Sequence, residues 1–217
     1  MTHRLRPLGT DLIGLGEPLP PEVAAEAHLL TRCAAAGVRL PVGAVLLDGG
    51  RSLGPLRPGE HVLLRALGTR FAIRVSTDDK AGLAAALRAV QQVLPAGARC
   101  DVLVLRSAGS VHAGRAEVRA RRPYDMVEAV EGEAHELAGA AVRTLHVPRL
   151  GRRQRAHRGA DPWRTPLPPW GMRLSRLLRD VRRVLGPGDR DLTWADDGRV
   201  CRLIGATARM DTWTTTR

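Results

Sequence analysis

Between His61 and Leu94 the hydrophobic period switches, and the switch fixes the local architecture. His61 to Leu67 and Phe71 to Ser76 are short apolar runs joined by Gly68-Thr69-Arg70, a connection that predicts an antiparallel hairpin. From Asp79 to Leu94 the spacing becomes helical, with Leu83, Leu87, Val90 and Leu94 on one face. A hairpin followed directly by an amphipathic helix predicts an α+β fold in which helices flank mixed or antiparallel sheets. The junction also carries chemistry. Arg74 leaves the second strand beside Ser76, and a guanidinium presents a rigid fork of donors to an oxyanion. Asp78 and Asp79 follow, either as helix caps or as ligands. Arg74 can instead close a salt bridge with Asp78, Asp79 or Glu133, which needs no ligand.

The rest of the chain divides by composition. Residues 1–20, rich in Pro and Gly, read as a loosely packed leader, and residues 21–100 as an N-terminal lobe. Within that lobe Val23, Ala27, Leu30 and Ala34 predict a helix over Pro21 to Ala36 ended by Gly37, followed by a strand over Val42 to Leu47. Asp101 to Arg106, Arg115 to Ala120, Asp125 to Val130 and Val142 to Val147 predict a second sheet-containing lobe over 101–149. In Arg115 to Ala120 strict alternation leaves Arg115, Glu117 and Arg119 on one face, so that strand is half exposed. A basic, Pro-rich linker covers 150–170. Residues 171–209 hold a helix from Gly171 to Leu185, burying Met172, Leu174, Leu177, Leu178, Val181, Val184 and Leu185, and a hairpin turning at Asp196-Asp197-Gly198. Residues 210–217 are a tail.

Composition narrows the partners. The net charge is +12, and Lys80 is the only lysine. Arginine dominance beside so much alanine and glycine fits a GC-rich codon bias, but the sign imbalance favours polyanions such as nucleic acid or an acidic protein. Arg152, Arg153, Arg155 and Arg158 in the linker, with Arg173, Arg176, Arg179, Arg182 and Arg183 on the outer helix face, form the candidate surface. A merely solvated helix face is the competing reading. Trp163 and Trp170 flank the linker and either stack on bases or anchor it to the core. Cys33, Cys100 and Cys201 form no C-x-x-C pair, which predicts a reduced, cytoplasmic protein without structural zinc. No run of eighteen apolar residues and no secretory signal is present, so no membrane span is expected. The histidines lack an i, i+4 pair or an acid pattern that would suggest a metal or a relay, and Glu131 and Glu136 read as solvent-facing.

Several segments, taken in order, resemble the ATP-binding domain of phosphoenolpyruvate synthase and pyruvate phosphate dikinase. They are Glu22 to Leu30, Ala34 to Leu46, Arg70 to Asp79, Asp101 to Leu105, Tyr124 to Leu137, Leu174 to Val181, Asp191 to Gly198 and Arg202 to Arg209. The resemblance implies a two-lobed, ATP-grasp-like domain. It also implies that Arg74, Ser76, one or both of Asp78 and Asp79, and Glu133 come from a nucleotide site. The departures are as specific as the matches. The family's nucleotide-binding lysine falls on Glu26, where a carboxylate would repel a polyphosphate, and its paired glycines fall on Ala24 and Ala25. Its metal-holding glutamate falls on Thr193, its glutamine and arginine on Ile204 and Ala206, and its glycine-rich loop is absent, since Asp79 runs straight into a helix. Magnesium needs oxygen ligands, which an isoleucine side chain does not supply.

The expectation is therefore a degenerate, non-catalytic relative, a pseudoenzyme with residual ATP binding and no metal site; an active form would be an ATP-dependent phosphotransferase. The alternatives are an arginine-rich nucleic-acid or polyanion binder and a scaffold for a protein partner.

Overall fold

The computed structural model describes residues 12–48, 50, 53, 56–69, 71–95, 97–107, 109–132, 142–148 and 167–208. The chain forms two compact units, Met1–Ser110 and Val111–Arg217. Among the described residues no helix is long and apolar enough to cross a membrane.

The first unit is a five-stranded antiparallel sheet with two helices. In chain order it holds β1 (Leu12–Gly14), α1 (Ala25–Ala35), β2 (Gly43–Leu46), β3 (His61–Ala66), β4 (Ala72–Ser76), α2 (Lys80–Gln91) and β5 (Val102–Ser107). The sheet order is β1-β2-β5-β3-β4. The expected hairpin is β3 and β4, with Leu63 opposite Arg74. Two expectations are corrected here. Strand β5 does not open the second sheet: it lies at the centre of the first, between β2 and β3. All four of Val102 to Leu105 are buried, so the strand shows no alternation to announce its place. The leader, for its part, contributes β1, paired with β2 at the sheet edge.

Alternation divides the sheet between its helices. Val62, Leu64, Ala66, Val102, Val104 and Leu46 pack with Ala86, Leu87 and Val90 of α2. Arg65 is on the other face and reaches Glu26 of α1. Helix α1 ends as its glycine predicts: Gly37 adopts φ 79°, and the amides of Val38 and Gly37 donate to the carbonyls of Cys33 and Ala34, closing orphan acceptors of the last turn. A buried carboxylate holds three segments together. Asp101 accepts from the amides of Ala24 at 3.2 Å and Asp48 at 3.1 Å and from Arg99 at 3.0 Å, joining the start of α1, the end of β2 and the start of β5.

The second unit is another five-stranded antiparallel sheet, ordered β10-β9-β6-β7-β8. Its strands are β6 (His112–Val118), β7 (Tyr124–Glu131), β8 (Arg143–Pro148), β9 (Arg190–Asp196) and β10 (Cys201–Ala208), and α3 (Pro169–Leu185) packs on it. Leu174, Leu178 and Val181 of α3 are fully buried with Leu192, Trp194 and Leu203 of the sheet. Gly114 is needed where β6 meets β7, because a Cβ there would run into the Glu128 carbonyl oxygen. The expected final hairpin is present. Asp197 caps its turn by accepting from the amides of Arg199 and Val200 at 2.9 and 2.7 Å, and Gly198 adopts φ 86°.

Met172 corrects the expected buried face of α3, since it is 52% exposed. At about 100° per residue, position 172 is opposite the centre of the stripe formed by Leu174, Leu177, Leu178, Val181 and Leu185. Val184, near the stripe's border, is half-buried.

Candidate functional site

In the first unit, Arg74 and Ser76 occupy alternate positions of the edge strand β4, so both belong to the face opposite α2. The register extends this face into two rows. Arg74 lies opposite Leu63, which lies opposite Leu105; Ser76 lies opposite His61, which lies opposite Ser107. Arg74, Ser76 and Ser107 are half-buried, and His61 is exposed. One guanidinium, two hydroxyls and an imidazole thus share one end of a sheet face, a donor set suited to phosphate oxygens.

The two acids that follow are held by the backbone. Asp79 accepts from the Gly82 amide at 2.8 Å and is the N-cap of α2. Asp78 accepts from the Gly59 amide at 2.9 Å, tying the end of β4 to the preceding loop. Glu133 lies outside the described residues. Glu26 is not a bare carboxylate: it is 5% exposed and clamped by Arg65, with oxygen to nitrogen distances of 2.6 and 3.2 Å, and it also accepts from the Gly68 amide.

In the second unit, Ile204 sits at a bulge of β10 and is buried, as is Ala206 opposite Leu192. Thr193 is half-buried on β9. Of these three positions, where the sequence departs from the family it resembles, Ile204 and Ala206 are therefore apolar and part of the core.

The arginine surface is divided by the same helical geometry. Arg173 and Arg182 fall on the two borders of the buried stripe of α3, and both are spent on buried acids. Arg173 grips Asp196 with two contacts of 2.6 Å, and that hydrogen bond holds its pKa above the ordinary arginine value. Arg182 pairs with Asp125, itself 1% exposed. Arg176, Arg179 and Arg183 remain as an exposed stripe, with Asp180 3.6 Å from Arg183. Arg152, Arg153, Arg155 and Arg158 lie outside the described residues, as does Trp163. Trp170 is buried, which favours the anchoring role, and stacks on Trp194 at 5.4 Å and on His112 at 5.5 Å.

Sequence reasoning missed a cleft of about 270 Å³ in this unit, lined by His112, Ala129, Val130, Glu131, Val142, Arg143 and Trp170. These residues come from three strands and a helix, at spacings no local pattern links. The one available signal was Glu131 at the end of an alternating strand, which reads equally well as a solvated charge.

No protein family matches the sequence, and no curated protein does. Solved structures do resemble the chain. An L-amino acid ligase from Bacillus licheniformis aligns over 86% of this chain with a TM-score of 0.52 and 11% identity. The ATP-grasp ligase PsnB, in complex with a minimal precursor, aligns over 87% at 10% identity with a TM-score of 0.48. The macrocyclase MdnC from Microcystis aeruginosa, bound to the precursor peptide MdnA, aligns over 84% at 9% identity with a TM-score of 0.43. The chain spans 40% of the first, 54% of the second and 51% of the third. The likeness is one of fold: the chain has a two-lobed, α+β, ATP-grasp-like fold.

Proposed function

We propose that this chain binds an adenine nucleotide through its phosphates without transferring them. The observation that carries the reading is an ATP-grasp-like fold in which Arg74 and Ser76 share one sheet face while Ile204 and Ala206 are buried apolar side chains. A guanidinium beside a hydroxyl fits a phosphate. The residues at the resembled metal positions do not fit magnesium, which requires near-octahedral oxygen ligation. Binding therefore proceeds without the metal, and the chain is a pseudoenzyme. The order of its segments supports a finer kinship with the ATP-binding domain of phosphoenolpyruvate synthase, and its buried thiols fit a reducing, cytoplasmic setting.

The test is a thermal-shift series with ATP, ADP and AMP, each with magnesium and with excess EDTA. Nucleotide at a hundredfold excess over its Kd should stabilise the protein by about 2.7 kcal/mol, equally with and without the metal. Arg74→Ala should abolish the shift. No shift at millimolar nucleotide, a shift that requires magnesium, or an unchanged shift in Arg74→Ala would refute the proposal.

One observation favours a second reading. Arg176, Arg179 and Arg183 make a continuous exposed cationic stripe along α3, which a polyanion could follow. Complexes that persist unweakened from low to high salt would exclude phosphate contacts by this stripe.

A further inference from the structure

The charges around the cleft of the second unit suit a ligand that carries both signs. Glu131 ends β7 and Arg143 begins β8. His112 lies opposite Glu131, and Ala129 lies opposite Arg143, which makes the carboxylate and the guanidinium diagonal neighbours on one sheet face. Such positions lie about 7–8 Å apart, within reach of an arginine side chain. Yet among the described residues Glu131 and Arg143 make no ion pair, and both line the cleft instead. Five other described arginines of this unit do take an acid: Arg119 pairs with Asp191, Arg173 with Asp196, Arg182 with Asp125, Arg183 with Asp180 and Arg202 with Asp197. Two opposite charges held apart across a cavity are better matched to a guest than to each other.

The surfaces between them define the guest. Ala129, Val130, Val142 and the Trp170 indole supply an apolar lining. His112 lies against Trp170, and the two rings form part of the cleft wall. The volume, about 270 Å³, is at the small end of the usual range of roughly 300–1,000 Å³ for drug-sized ligands and suits a small metabolite.

We propose that this cleft binds a small zwitterion of the free α-amino acid class. Its carboxylate meets Arg143, its ammonium meets Glu131, and its compact apolar side chain lies over Ala129 and the Trp170 indole. The site belongs to the second unit, whereas the Arg74 face belongs to the first, and it does not rest on the nucleotide reading.

Leucine, leucinamide and N-acetylleucine separate the two charges, and each is titrated into the full chain by calorimetry. Leucine is expected to saturate the protein at millimolar concentration or below, and each analogue lacking one charge to bind at least about tenfold more weakly. Glu131→Gln should weaken leucine about tenfold while leaving N-acetylleucine unchanged, because that analogue has no ammonium to lose a partner. Arg143→Gln should weaken leucine similarly and leave leucinamide unchanged. Both residues are exposed at the rim, so the variants should keep the parent's melting temperature. Equal affinity for all three compounds overturns the proposal, as does failure of leucine to bind at about 10 mM. An effect of either variant that is the same for every compound also overturns it.

Discussion

The pair between Glu26 and Arg65 offers the sharpest energetic test of the first unit. Both side chains are buried, at 5% and 8% exposure, and the guanidinium holds the carboxylate through two contacts of 2.6 and 3.2 Å. Arg65→Met leaves the Glu26 charge buried without its guanidinium, while the Gly68 amide 3.4 Å away still donates to it. Removing one partner of a buried pair costs about 3–5 kcal/mol, because the survivor has lost both water and its counterion. At roughly 2–4 °C per kcal/mol for a chain of this size, the melting temperature should fall by about 6–20 °C. The double variant Glu26→Leu/Arg65→Met removes both charges and returns stability to within about 1 kcal/mol of the parent or above it. All four tryptophans lie in the second unit, so indole fluorescence does not report on this site. Urea unfolding should be followed by far-UV circular dichroism, with hydrogen exchange at Leu64 and Val104 locating the loss in the first sheet. A single variant within 1 kcal/mol of the parent, or a double variant as unstable as the single, would refute the reasoning.

Three further outcomes follow from the geometry. Burial is the largest influence on the Asp197 carboxyl and pushes it up, but Arg202 and the amides of Val200 and Arg199 together outweigh it and hold the pKa at about 2. A depressed folded pKa adds stability above the ordinary value of 3.8 that is lost as pH falls through about 2, so Asp197→Asn should flatten the acid limb between those values in pH-dependent unfolding. Gly114→Ala drives a methyl into the backbone of Glu128, which cannot rotate away, and should cost at least ~3 kcal/mol in Trp194 fluorescence-monitored denaturation. Cys33, Cys100 and Cys201 are buried, and burial pushes the thiols of Cys100 and Cys201 up; all three should resist iodoacetamide in the native protein and react on unfolding, as read by mass spectrometry.

Local periodicity made some elements legible and concealed others. Helix α2 and the β3–β4 hairpin were readable because their apolar spacing is one-sided and their connection is short. Strand β5 was not assignable to its sheet, since a run buried on both faces carries no alternation and its partners are 36 or more residues away. Strand β1 has three residues among prolines and glycines, too few to show a period. For α3 the geometry was in the sequence but was read too generously. A helical projection places Met172 opposite the buried stripe and Arg173 and Arg182 on its borders, where long arginine stems can reach inward. What the projection could not supply was the acids they meet, Asp196 on β9 and Asp125 on β7, which become neighbours only through the tertiary fold.

The same division separates the residues that hold each unit together from the candidate binding residues. The first unit is held by the apolar layer under α2, by the Asp101 carboxylate and by the Glu26–Arg65 pair, none of which involves Arg74 or Ser76. In the second unit Ile204 and Ala206 are themselves core residues, so an apolar side chain at those positions adds burial where an acid would carry a desolvation cost. The rim charges Glu131 and Arg143, by contrast, are exposed and lie outside the buried core of their unit. Substitutions there should change binding while leaving stability nearly untouched.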